Sequence, residues 1–511
     1  MFARLGAMAI GVLLAASLLV LAELSLRLLG VAAGTPRHDP FSGFGTTLPM
    51  FERVDADTWR IAPARLTGRY TEVLPEDGRE FRADKPPGSF RVFVVGESSA
   101  AGTPYPPRYA FSAWLRKLLE AALPDRHVEV VNAALSGYAS RRLLPVVREI
   151  TGYSPDLVIV YMGHNEWAER QYYAHLIDMD PRLFRLWQWA VDTRLYRVLS
   201  PLFRRGERTS EGAQTLYKDA NENSLEMFAV LQERAGGASY PTARDLAYRD
   251  LLYEFNLNAM ADLVQAAGAQ IVLLTLSQNF SDWPPGASTH RADLSDSDLR
   301  RFDELTERGR RERERGDCRA AQEAFSQAQA IDADFAALHF ERAACHRAQG
   351  ERESAREEYR LASDLDRVPH GAPTYFNDVI RRVAHAHAAP VVDVAAVLEA
   401  ESGAGLVGDD LFLDWVHPNL RAHQRIARAI AEELRRDGIP VAADRWREPW
   451  AELPEPEAVL AADPVLRVRE EEMRMFACTL ARRAECVRAT AESLLRLDPS
   501  HVEARAALAR W

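Results

Sequence analysis

The stretch Arg91-Val92-Phe93-Val94-Val95-Gly96-Glu97-Ser98-Ser99-Ala100-Ala101-Gly102 decides the fold. After Arg91 comes Val92–Val95, a short apolar and mostly β-branched run, the pattern of a strand buried on both faces. Gly96 then ends the run, and a glutamate and two serines sit on the turn that follows. Working outward, the same unit recurs. Val128–Val131 leads into Asn132-Ala133-Ala134-Leu135-Ser136-Gly137-Tyr138, and Asp156–Tyr161 leads into Gly163-His164-Asn165-Glu166. Ile271–Leu276 and Pro390–Val394 supply a fourth and a fifth strand. Between them, Phe111–Leu123, Arg141–Ile150, Leu251–Leu263 and Leu420–Leu434 carry apolar residues at helical spacing. Strand and helix alternating in this way predict an α/β domain with a parallel sheet covered on both faces. Polar side chains beyond the carboxyl ends of such strands are where a site is expected.

Composition sets the bounds. The chain has 511 residues, 47% hydrophobic and 27% charged, which excludes a disordered, collagen-like or multi-span membrane protein. Its length predicts several domains, each able to bury a core. A net charge of -11 leaves no overall positive field for nucleic acid. Lys85, Lys117 and Lys218 are the only lysines among 63 basic residues, so arginine clusters carry less weight here than usual.

At the amino terminus, Leu5 to Ala22 runs eighteen residues without a charge, after Arg4. As a helix it would rise about 27 Å, the thickness of a hydrocarbon core. Arg4 before the run and Glu23 after it orient the amino terminus toward the cytoplasm. Residues 1–33 are therefore expected to be a transmembrane anchor, with cleavage near Val31-Ala32-Ala33 as the alternative. Either way the rest of the chain is exported, facing the periplasm or the cell exterior. Export bears on the cysteines. Cys478 and Cys486 flank Arg482-Arg483 as if across a helical hairpin, and Cys318 and Cys345 lie in successive helical repeats. Both pairs are disulfide candidates, within about 7 Å between alpha carbons. The alternative is four small buried hydrophobes.

The polar clusters after the strands acquire a partner near the carboxyl end, in Asp414-Trp415-Val416-His417-Pro418. A serine on a tight turn, a distant histidine and an acid three residues before it can form a nucleophilic triad. Each motif alone has a plainer reading. Ser98 or Ser99 could cap a helix, Asn165 could serve a turn, and Asp414 with His417 could be a surface pair. All four in this order are much harder to produce by chance.

Together these segments resemble the four signature blocks of the SGNH (GDSL-type) hydrolases, a family of esterases, lipases and carbohydrate deacetylases. The resemblance covers residues 88–166, 270–277 and 390–436. It implies a three-layer α/β domain and a catalytic triad of Ser98, Asp414 and His417. It also implies an oxyanion hole built from the Ser98 and Gly137 backbone amides and the Asn165 side chain. Glu97 stands where the family usually has aspartate. The pattern is most similar to a bacterial subgroup of exported proteins, in the inner membrane, that carry helical repeats. The substrate expected is an acylated molecule, O-acetyl on an envelope glycan being one form of it. Tyr138, Trp167 and Trp415 are candidates to stack on sugar faces, or to pack in the core. An O-acyltransferase with the same triad and a catalytically idle scaffold are the competing functions. No metal cluster, phosphate loop or cofactor fingerprint is present, so no cofactor is expected.

The rest of the chain is organised around these blocks. Residues 34–87 read as a linker, 88–296 as the first part of the hydrolase and 371–440 as its second part. Residues 167–243 form a cap insertion in which Leu183, Leu186 and Trp189 alternate with arginines, on a helix that packs on the sheet edge or lies on a membrane surface. Within 297–370, Gly316, Ala321, Phe325, Ala328, Ile331 and Asp332 recur 34 residues later as Gly350, Ala355, Tyr359, Ala362, Leu365 and Asp366. That period matches tetratricopeptide helix pairs, which dock protein partners. A weaker copy is expected within 455–511.

Overall fold

The computed structural model describes residues 14, 17–31, 44–45, 48–66, 74–169, 176, 179–203, 243–403, 405–448 and 452–511. Three short strands come first: β1 (Phe51–Arg53), β2 (Thr58–Ile61) and β3 (Glu80–Arg82). Five more form the main sheet: β4 (Phe90–Gly96), β5 (Val128–Asn132), β6 (Leu157–Tyr161), β7 (Gln270–Leu274) and β8 (Val391–Val392). Their order is β5-β4-β6-β7-β8, parallel throughout. Every residue of β4 and β6 is buried, as their unbroken apolar runs predict for strands covered on both faces. Helices Phe111–Ala122 and Leu420–Arg436 pack together on the sheet. Helices Ser140–Ile150, Ala243–Ala266 and Phe376–Ala386 form a second such group.

Two strands are shorter than their apolar runs. The Asp393 side chain accepts the Ala396 N–H (3.2 Å), so the chain turns into helix Val394–Glu401 before the run ends. Beyond Leu274, the Leu276 N–H goes to the Asn377 side chain (2.7 Å) instead of a neighbouring strand.

The expected linker at 34–87 is corrected by the small sheet within it. β1, β2 and β3 pair antiparallel and pack on the main core through Phe51, Ile61 and Phe81. Phe51 and Phe81 meet edge-to-face at 5.0 Å, and both reach Phe93 of β4. Arg91, only 1% exposed, fastens the sheets. Its guanidinium bonds Glu129 (2.6 Å) and the carbonyls of Arg82 and Tyr153 (2.8 Å each), and lies over the Phe81 ring. A buried charge paired this fully is tolerated, and removing either partner would be costly.

Between β7 and helix Phe376–Ala386 stand four consecutive helices: Asp296–Glu314, Cys318–Ile331, Ala336–Gln349 and Arg352–Asp364. The 34-residue recurrence has structural equivalents. Gly316 and Gly350 both take left-handed backbone after a helix, and Ala321 and Ala355 are both fully buried. Phe325 and Tyr359 fill corresponding core positions. Gly309 lets the first helix pair close, because a side chain there would meet the Phe325 ring at 2.3 Å. Two pairs of helices bury little alone, and this insert completes its core on the catalytic domain. Ala343, Ala355 and Tyr359 cluster with Leu406 and Phe280, and Arg347 bonds Asp282 at 2.8 Å.

Four further helices, Pro456–Ala462, Val465–Leu480, Ala484–Leu497 and Val502–Arg510, end the chain. Their core of Met475, Cys478, Val487 and Leu494 closes over Trp283 of the catalytic domain. Tyr105 reaches across to Glu470 (2.5 Å) and Tyr109 to Asp463 (3.2 Å). Cys478 and Cys486 are joined by a disulfide, with alpha carbons 5.6 Å apart. Cys318 and Cys345 are buried free thiols, so the second expected bridge is not formed. Burial pushes Cys345 up to about 12, with the adjacent Cys318 thiol adding to it, and a thiol so placed resists becoming the reactive thiolate.

Of the expected anchor, residues 1–13, 15, 16, 32 and 33 lie outside the described residues. Residues 17–28 are helical. Among the described residues no helix is long and apolar enough to cross a membrane.

Candidate active site

β4 ends at Gly96, and the chain enters a single helical turn, Ser98–Ala101. Only glycine fits at 96, since a side chain there would lie 2.2 Å from the Tyr161 carbonyl oxygen. The turn lifts Ser98 above the carboxyl edge of the central strand. His417 arrives from the far end of the chain, on the loop before helix Leu420–Arg436, with Nε2 2.8 Å from Ser98 Oγ. Its Nδ1 lies 2.6 Å from Asp414 Oδ2. The other carboxylate oxygen of Asp414 accepts the N–H groups of Val416 and His417, each at 2.8 Å. Burial works against charge on Asp414, but His417 and these two N–H groups outweigh it and hold the carboxyl below its ordinary range. The three-residue spacing thus makes one tight turn in which the acid clasps its own loop and aims the imidazole.

Ser99, 1% exposed, points the other way and donates to the Val416 carbonyl (2.9 Å). It ties the serine turn to the histidine loop. The neighbouring serines therefore divide the work, one facing the base and one fastening the two loops that must stay in register.

Glu97 binds the third loop. Its carboxyl accepts the N–H groups of Gly163 (2.9 Å), His164 (2.9 Å) and Asn165 (3.2 Å). Burial pushes it up to about 8 in spite of these donors. An aspartate, one methylene shorter, would sit farther from all three. The departure from the usual residue thus comes with a loop held at glutamate length. The second loop is joined to the first by Leu135 N–H on the Gly96 carbonyl (3.0 Å) and by Thr103 and Ser136, whose hydroxyls lie 3.2 Å apart.

These contacts bring the three expected oxyanion donors to one edge of the sheet. The Ser98 N–H is at the first position of its helical turn, where no intrahelical acceptor exists. Gly137 takes a left-handed φ of 74°, which turns the second loop. Asn165 spends one side-chain N–H on the Tyr138 carbonyl (3.1 Å), and its amide has a second to offer. Asn165→Ala should lower kcat about 10²–10³-fold with little change in KM, measured on a short-chain aryl ester. A loss under threefold would remove Asn165 from the transition state.

Three other histidines surround the triad. Burial pushes His164 and His423 down to about 3 and His370 down to about 4. His164 Nδ1 accepts the Ala372 N–H and His423 Nδ1 the Phe111 N–H. All three stay neutral in the fold well below their ordinary value near 6.5, while the unfolded chain protonates them there. The stability these three histidines contribute is therefore full above about pH 6.5 and is lost as pH drops toward 3. The melting temperature should decline over that window, and His423→Phe should flatten the decline. Equal slopes for the variant and the parent would contradict this.

Of the three aromatics for which the sequence leaves sugar stacking and packing both open, two pack against protein. Tyr138 is buried, its ring faces the Arg142 guanidinium at 4.2 Å, and its hydroxyl accepts from Arg65. Trp415 packs between His370 (4.1 Å) and Trp283 (4.5 Å). Both rings are occupied by protein. Trp167, half-buried two residues beyond Asn165, keeps its position beside the site. Sequence reasoning missed the buried acids behind the loops. Glu166 accepts from the Ser140 N–H (2.7 Å) and hydroxyl (3.0 Å), and Glu169 from the Ala139 N–H (2.9 Å) and from Arg142. Their adjacency to Asn165 was the available signal.

Residues 94–346 match the model of the GDSL-like Lipase/Acylhydrolase family, a range that opens in β4 and closes within the helical insert. No curated protein matches the chain. Among similar solved structures is a lipase/acylhydrolase from Enterococcus faecalis, 11% identical, covering 71% of this chain and 100% of its own, with a TM-score of 0.29. A variant of an acetyl-xylooligosaccharide esterase from Geobacillus Stearmophilus is 15% identical, covering 68% and 95%, with a TM-score of 0.31. An alpha/beta hydrolase from the metagenome of Lake Arreo, Spain, is 15% identical, covering 67% and 94%, with a TM-score of 0.30. Over residues 94–346, which include most of the α/β domain, the chain is thus similar to the GDSL-like lipases and acylhydrolases.

Proposed function

We propose that this chain is an exported, membrane-tethered serine esterase that removes O-acyl groups, O-acetyl on an envelope glycan being the substrate class. The observation that carries the serine mechanism is the unbroken chain Ser98 Oγ to His417 Nε2 (2.8 Å) and His417 Nδ1 to Asp414 (2.6 Å). Asp414 fixes the tautomer with the proton on Nδ1, leaving Nε2 free to take the Ser98 proton. Ser98 Oγ attacks the ester carbonyl, and the oxyanion meets the N–H groups of Ser98, Gly137 and Asn165. Collapse of the tetrahedral intermediate expels the alcohol, which takes its proton from His417. Water then repeats the sequence on the acyl-enzyme and releases the acid.

The 34-residue recurrence, with its matched glycines, alanines and aromatics, supports reading the insert as tetratricopeptide-like and as a surface for a protein partner. The uncharged run Leu5–Ala22 supports the tether. To test the substrate class, the purified full chain is given acetylated glycan and an aryl acetate side by side. Acetate release from the glycan, abolished by Ser98→Ala, is the expected result. Hydrolysis of the aryl ester alone would sink the glycan assignment, and transfer of acetyl to an added sugar hydroxyl in preference to water would make the chain an acyltransferase.

A further inference from the structure

Helices Pro181–Val191 and Arg194–Phe203 form a hairpin whose inner side is accounted for. Val191, Phe184, Trp187 and Tyr196 cluster with Leu176 and with Leu252 of the catalytic domain. The outer side is a different surface. Leu183, Leu186 and Trp189 are 61%, 61% and 68% exposed. Steps of three residues drift by about 60° around a helix, so they form one continuous stripe. On the second helix Val198 and Leu199 are also exposed, at 39% and 37%. Arg182 and Arg185 are exposed beside the stripe. Residues 181–203 hold Arg182, Arg185, Arg194 and Arg197 against Asp192 alone, in a chain whose net charge is -11. Exposed leucines and tryptophan bordered by arginine describe a helix lying in a bilayer interface, with the arginine stems reaching toward phosphate.

A second observation fixes the level of that interface. The Arg194 guanidinium donates to the carbonyls of Leu26 (3.1 Å), Arg27 (3.2 Å) and Val31 (3.4 Å), at the end of the amino-terminal helix. Glu23 accepts the Leu195 N–H (2.9 Å) and pairs with Arg27 (2.7 Å). Just before this polar collar, Leu18, Leu19, Val20 and Leu21 are consecutive and all more than half exposed. Four successive positions point in every direction, so this helix is apolar all round and suited to lipid. The hairpin is therefore clamped where the apolar run ends and polar groups begin, at headgroup height.

We infer that the 181–203 hairpin lies in the headgroup layer of an anionic bilayer, with Leu183, Leu186 and Trp189 in the acyl boundary and Arg182 and Arg185 on lipid phosphates. It holds the catalytic domain against the membrane in a fixed orientation, where a tether alone would leave it free to swing. The inference rests on the membrane tether of the proposed function, and the experiment separates the two.

The full chain with Leu186→Cys is labelled with an environment-sensitive fluorophore; the natural cysteines are buried or disulfide-bonded. It is reconstituted into phosphatidylcholine vesicles with and without phosphatidylglycerol. Flotation with the vesicles reports the tether, and quenching by brominated lipid reports the hairpin. The protein should float, and brominated lipid should quench the label at 186 at least fivefold more than the same label at Ser500→Cys. Phosphatidylglycerol should strengthen the quenching, and the double variant Arg182→Glu, Arg185→Glu should abolish that strengthening without affecting flotation. Flotation with the 186 label still open to aqueous iodide would overturn the inference and leave the tether standing. Failure to float, with the label exposed, would overturn both. Shielding that rises with protein concentration in the absence of vesicles would assign the stripe to a second copy and overturn the lipid assignment.

Discussion

Ser98→Ala should lower ester turnover by roughly 10⁴–10⁶-fold while the fold is retained, and His417→Ala should do the same. The two act as one unit, because Oγ is a weak nucleophile until Nε2, 2.8 Å away, takes its proton. The double variant should therefore be no worse than either single one. Ser99→Ala is the informative neighbour. Its hydroxyl holds the Val416 carbonyl from a buried position, so its loss should cost about 1 kcal/mol of stability and leave most of the turnover. Should Ser99→Ala prove inactive and Ser98→Ala active, the roles of the two serines are exchanged. Initial rates on an aryl acetate, with circular dichroism as the control for folding, decide the matter.

Asp414→Asn should lower kcat by about 10⁴-fold with almost no change in structure. The amide oxygen can keep the two N–H groups of Val416 and His417 that the carboxylate now accepts. Its NH₂ then faces His417 Nδ1 and forces the imidazole proton onto Nε2, the atom that must receive a proton from Ser98. The variant thus preserves the loop and reverses the tautomer. A loss within tenfold would show that Asp414 only shapes the turn. Asp414→Ala separates the two contributions further, since it also leaves both backbone N–H groups without their buried acceptor.

Which parts of this molecule are legible in its sequence follows from element length and from the range of each interaction. β4 and β6 are long β-branched runs, and a run buried on both faces announces itself without a partner. The helical recurrence is equally plain because small residues are required at fixed positions, as the fully buried Ala321 and Ala355 illustrate. The strands at 51–53, 58–61 and 80–82 have the look of linker in the sequence because three or four residues are too few to display alternation. What makes them a sheet is Arg91 and the Phe51, Phe81 and Phe93 cluster, contacts between residues far apart in the chain. In the site, the block residues were visible by their order. The fates of Tyr138 and Trp415 were not, because whether an aromatic faces substrate or core depends on Arg142, His370 and Trp283 arriving from elsewhere. The hold of Glu97 on the 163–165 loop was hidden for the same reason.

Covalent labelling of the purified full chain with a fluorophosphonate, followed by peptide mapping, probes the serine mechanism most directly. One adduct is predicted, on Ser98 Oγ, formed at a rate that falls at least a hundredfold in His417→Ala, because the reagent reacts only where a base activates the hydroxyl and oxyanion donors receive the phosphoryl oxygen. An adduct on Ser99 or on any serine outside the 96–102 turn, or a folded chain that takes up no label at all, would contradict it.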